Sequence, residues 1–124
     1  MPVVAAVAAG GALGALARYG LDRVIERRSF SVFPWSTFAI NVSGCFVVGL
    51  VIGALVDRHH APQWIRAALV VGFCGAYTTF STFAQETLDL AEANDYALAI
   101  LNVSMSVVVG LIAVFAGQQL GRSI

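Results

Sequence analysis

The segment from Gly72 to Phe83 constrains this chain more than any other. It lies within a stretch from Ala67 to Gln85 that carries no charge, yet it sets Gly72 and Gly75 beside Thr78, Thr79, Ser81 and Thr82. In hydrocarbon an interrupted helix leaves amides and carbonyls without partners. Such a break therefore stands only where protein buries it or where it lines a cavity or ion site. The segment predicts a membrane span broken near its middle.

The rest of the chain supports a membrane setting. Of its residues 59% are hydrophobic and 11% charged, against roughly 25% charged in a soluble domain. Charge is absent from Met1 to Ala17, from Ser29 to Val56, from Ala67 to Gln85 and from Tyr96 to Gly121. Each of these, the second taken from Ser36 to Val56, holds about the length that a crossing helix needs, roughly 17–25 residues. We expect an all-α membrane protein, one domain over 1–124, with spans at about 3–21, 36–56, 65–85 and 97–120. The first segment has no basic leader, so it reads as a span and not as a secretory signal. Trp35 and Trp64 precede the second and third spans and belong at opposite membrane faces, where indole rings favour the interface. Cys45 and Cys74 fall inside spans as small apolar side chains and are expected to form no disulfide. His59 and His60 lie in a loop without enough further ligands for a metal site.

Orientation follows from the arginines, since the chain has no lysine. One face carries Arg58, Arg66 and Arg122; the other carries Arg23, Arg27 and Arg28, with Arg18 near the end of the first span. The excess of basic residues that normally fixes topology is nearly absent, so the chain can insert either way round and an antiparallel dimer becomes possible. Four helices of this length leave little room for a pathway of their own, which also points to an oligomer. Gly10 with Gly14, Gly49 with Gly53, and Gly117 with Gly121 have the spacing that lets helix backbones approach.

Polar residues within the spans narrow the function. Thr37, Asn41 and Gly44 share one helical face, and Asn102, Ser106 and Gly110 share another. A lone polar residue in a span usually joins helices, at about 0.6–2 kcal/mol per hydrogen bond. Two polar stripes beside a broken span point equally to a polar pathway. The charge-free stretches contain no carboxylate, which argues against proton-coupled carriage, since that uses acidic or histidine relays.

Three motifs carry a family resemblance: Gly10 to Tyr19 in the first span, Asn41 to Gly44 in the second and, most specific, Thr78 to Phe83 in the third. In these the chain resembles, from end to end, the Fluc (CrcB) fluoride channels. The resemblance implies a passive fluoride channel of the inner (plasma) membrane, not an enzyme, that releases cytoplasmic fluoride and relieves its toxicity. It implies a dual-topology antiparallel homodimer with two pathways. It also implies a structural sodium ion at the dimer centre, held by backbone carbonyls of Gly75 and Thr78. By the same resemblance Asn41 is the pore asparagine, Phe80 and Phe83 are the paired aromatic residues, Thr79 and Ser106 belong to the fluoride pathway, and Arg18 lies at the interface or vestibule. The chain departs from the family pattern at Ala76, Asn102 and Gly110.

The residues make that reading intelligible. Phe80 and Phe83 share a helical face, a spacing that also serves packing or lipid contact. Their ring edges carry the positive side of the aromatic quadrupole and can meet an anion without a fixed charge. Fluoride is strongly hydrated, so its path must replace water with donors too weak to trap it. Two other classes share the size and composition. A small multidrug-type proton antiporter needs a carboxylate in its first span, where this chain has none. An accessory subunit of a heterodimeric channel does not require Asn41 together with the paired phenylalanines.

Overall fold

Prolines stand where helices begin. Pro2, Pro34 and Pro62 each immediately precede a first helical residue, a place where a fixed φ and a missing amide proton cost a helix little. The computed structural model describes residues 2–124. Five helices result among them: α1 (Val3–Glu26), α2 (Trp35–Arg58), α3 (63–77), α4 (Phe80–Glu92) and α5 (Tyr96–Ser123). Ile52–Arg58 of α2 and Ala67–Cys74 of α3 are wound as π-helix. With α3 and α4 nearly end to end, four helices are long and apolar enough to cross a membrane: Val3–Glu26, Trp35–Arg58, Gln63–Glu92 and Tyr96–Ser123. Among the described residues there is no strand.

The spans alternate in direction, and like-directed spans pack together: α1 lies along α3, and α2 along α5. Glycine makes both approaches. A Cβ on Gly10 or Gly14 would run into the carbonyl of Ala68 or Phe73, and one on Gly72 would press on the Val7 carbonyl. On the other pair, Gly49 and Gly53 meet the Val114 and Gln118 carbonyls, while Gly117 and Gly121 meet those of Phe46 and Leu50. All three glycine pairs of the sequence thus sit at backbone crossings, where dispersion between close helices substitutes for the hydrophobic drive that lipid does not supply. A side chain there must push two backbones apart. Gly117→Leu is expected to destabilise the bundle by about 1–3 kcal/mol or more. Thermal unfolding in detergent should show this against Ala116→Leu, whose position is exposed.

The ends of the bundle differ in charge. Asp22, Glu26, Glu86, Asp89, Glu92 and Asp95 lie toward the end that carries the α1–α2 and α4–α5 connections, with Arg18, Arg23, Arg27 and Arg28. At the opposite end Arg58, Arg66 and Arg122 face one carboxylate side chain, Asp57. Trp35 and Trp64 occupy opposite ends, Trp35 packed on Phe33 with ring centroids 4.6 Å apart.

Candidate functional site at the helix break

The third span breaks because Thr78 (φ −79°, ψ 159°) and Thr79 (φ −146°, ψ 113°) are extended, a conformation that β-branched residues adopt readily. Thr78 closes α3, its amide and its hydroxyl both donating to the Cys74 carbonyl at 3.0 and 2.9 Å. Thr79 opens α4 as its cap: its Oγ1 accepts from the Thr82 amide at 3.3 Å and donates to the Thr82 hydroxyl at 3.0 Å.

Asn41 reaches this break from α2 and closes it. Its Oδ1 accepts from the Thr79 amide at 2.8 Å, and its Nδ2 donates to the Thr79 carbonyl at 3.0 Å. One side-chain amide thus satisfies both backbone groups of the interrupting residue, which buried polar groups in a membrane require. The break releases the carbonyls of the last turn of α3, those of Gly75 and Thr78 among them. The Thr79 amide would bond the Gly75 carbonyl in a continuous helix, and the Thr82 amide would bond that of Thr78. Both amides are given elsewhere, to Asn41 and to the Thr79 hydroxyl.

A cleft of about 370 Å³ lies over the break, lined by Asn41, Gly44, Val70, Gly75, Thr78, Thr79 and Phe80 among others, none of them charged. Phe80 is 79% exposed and its ring centroid is 5.7 Å from that of Phe83. A second cleft, about 230 Å³, is lined by Arg18, Asp22, Thr37, Thr79 and Thr82, so that Thr79 borders both. Arg18 and Asp22 therefore share a hollow with Thr79 of the break.

The two polar stripes read from sequence both face protein. Thr37 donates to Glu86 Oε1 at 2.9 Å, Asn41 bonds Thr79, and Gly44 sits against Thr78 and Tyr77. On α5, buried Asn102 donates to the Thr87 hydroxyl at 2.9 Å, which donates to the Phe83 carbonyl at 2.7 Å. Ser106 has its Oγ buried with no partner. It lines neither cleft of this single chain, unlike Asn41, Thr79, Phe80 and Arg18.

Three participants escaped the sequence reading. Glu86 lies one residue beyond the charge-free stretch, on a helix that continues to Glu92, and one of its oxygens is buried without a partner. The signal for it was Thr37, one turn before Asn41 on the same face. Thr87 and Tyr77 are the others, Tyr77 sharing a 2.8 Å hydrogen bond with Ser43. Neither stands out in sequence, because a hydroxyl near a span has many possible partners.

The family described as CrcB-like protein, Camphor Resistance (CrcB), matches residues 5–118. A protein of Acidobacterium capsulatum named fluoride-specific ion channel FluC is 48% identical over 95% of this chain and 94% of its own length. Proteins of the same name from Magnetococcus marinus and Flavobacterium psychrophilum are 40% and 35% identical, the first over 98% of both chains and the second over 100% of both.

Proposed function

This chain belongs to the CrcB-like protein family, and from that premise we propose that it is a fluoride-specific ion channel, a multi-pass protein of the inner membrane that passes fluoride passively and catalyses no reaction. The observation that carries the reading beyond the family is the uncharged cleft in which Asn41, Thr79 and Phe80 meet at the helix break. A fluoride ion leaving water needs hydrogen-bond donors along its path, without a fixed positive charge that would hold it. Asn41 spends one Nδ2 proton on Thr79 and keeps a second. The ring edges of Phe80 and Phe83 can supply the next contacts, and the unpartnered Ser106 hydroxyl is a further donor. Arg18, in the wall of the smaller cleft beside Asp22, would draw anions toward that cleft and reach from within α1 toward the headgroups.

The cleft is open along one side and Phe80 projects from it, so a second copy would complete the walls. An antiparallel homodimer gives each copy the same surroundings and two pathways. The donor set at its centre suits a hard monovalent cation such as sodium. Gly75 and Thr78 are among the residues whose carbonyls the break releases, and two copies would present four such oxygens. Sodium there would supply a buried positive charge that neutralises converging carbonyls and holds the two breaks together.

The test is efflux from liposomes that contain only the purified chain. Fluoride release is expected once valinomycin balances the charge, with no proton gradient, and chloride release is expected to stay at the level of empty liposomes. A requirement for a proton gradient would favour coupled transport, and a requirement for a second polypeptide would favour an accessory role.

A further inference from the structure

We propose that the groove between the end of α2 and the start of α3 is a binding site for an anionic phospholipid, with the phosphate on Arg66 and an acyl chain along the groove floor. This groove, about 350 Å³, adjoins the cleft over the break, with which it shares Val70; Ile52, Val56, Ala67 and Val71 complete its apolar walls, and Gln63 and Arg66 form its polar end. Its position is that of a lipid seated at the membrane boundary. Trp64, 40% exposed and in the first turn of α3, marks the interface, while Val71, 63% exposed, lies two turns deeper toward hydrocarbon.

Charge selects the headgroup. Arg66 has its Nε buried with no hydrogen-bond partner, and among the described residues it forms no ion pair. The one carboxylate side chain at this end is already taken: Asp57 Oδ2 receives Arg122 Nε and Nη2, each at 2.8 Å, and Gln118 Nε2 at 3.0 Å. Arg58 donates to the Arg122 carbonyl at 2.7 Å and so adds positive charge without adding an acceptor for Arg66. A guanidinium whose Nε is buried without a partner is favoured by an anionic acceptor, and its planar fork fits a phosphate better than a point charge does. A zwitterionic lipid offers the same phosphate with an ammonium beside it, which the surrounding arginines disfavour. Phosphatidylglycerol, whose only charge is the phosphate, fits both halves of the groove.

The experiment uses the full chain in phosphatidylcholine vesicles, with Trp35→Phe so that Trp64 is the only tryptophan. Brominated phosphatidylglycerol or brominated phosphatidylcholine is added as a contact quencher. Phosphatidylglycerol is expected to quench Trp64 with about a fivefold higher relative affinity, the size of one cationic side chain at an anionic lipid. R66Q should remove the preference, R66K should keep part of it, and Arg27→Gln at the opposite end should leave it whole. Ala67→Phe, which fills the groove and spares the charge, should remove it too. The proposal is overturned by equal quenching in the parent protein, by a preference that survives R66Q or by one that survives Ala67→Phe. It is overturned equally if cysteines at Val71 cross-link two copies in high yield while no lipid preference is seen, since a second copy then fills the groove.

Discussion

Replacing Asn41 by aspartate is expected to bring fluoride flux in liposomes to the background of empty vesicles, with the protein still eluting as an assembled species. The amide of Asn41 works in two directions at once, accepting from the Thr79 amide and donating to the Thr79 carbonyl. Aspartate keeps the first bond and loses the second. The Thr79 carbonyl is left facing a carboxylate, and an unmade buried hydrogen bond costs about 1–3 kcal/mol. A negative charge also enters the span, at about 3 kcal/mol by insertion scales, and it meets an arriving anion on the cleft wall. A barrier raised by about 3 kcal/mol alone slows passage by about a hundredfold. Asn41→Ala separates the two effects, because it removes the clamp without adding charge. Flux should fall there as well, now with faster hydrogen exchange at the Thr79 amide, whose partner is gone. Wild-type flux in the aspartate variant would remove Asn41 from the pathway.

The paired hydrogen bonds between Asn41 and Thr79 also show where the sequence stops being legible. Apolar runs with a charge at each end are visible by counting, because the cost of charge in hydrocarbon leaves a record along the chain. The four helices, the interrupted third span and the glycine crossings were legible for that reason. The face shared by Thr37, Asn41 and Gly44 was legible too, since helical periodicity places them together whatever they touch. The choice of partner was not. An asparagine facing a break can bind an ion, a backbone group or water, and only the positions of the Thr79 amide and carbonyl show that both ends of the amide are engaged. The Thr79 and Thr82 pair carried a partial signal, the spacing of a capped helix start. Glu86 was hidden differently. It lies just past the last apolar turn, where a carboxylate normally means solvent, and it turns inward because Thr37 offers its hydroxyl.

Adding three arginines to the C-terminus is expected to abolish activity in cells, and co-expression with a copy carrying three extra arginines in the connection between α1 and α2 is expected to restore it. Topology follows the distribution of basic residues near the span ends, and acidic residues count for little. The marked difference in carboxylates between the two ends of this bundle therefore leaves insertion undecided. What decides it is Arg58, Arg66 and Arg122 against Arg23, Arg27 and Arg28, with Arg18 deeper in α1. Three added charges at one end break that balance and drive nearly all copies one way. The antiparallel dimer proposed above would then have no oppositely inserted partner, the Gly75 and Thr78 carbonyls of two copies would not meet, and the open side of the cleft over Asn41 and Phe80 would stay uncovered. The complementary copy restores both. In the unmodified protein, a cysteine appended after Ile124 should react with membrane-impermeant maleimide from both faces. Labelling from one face alone in an active protein would exclude the antiparallel dimer, and with it the shared cation site.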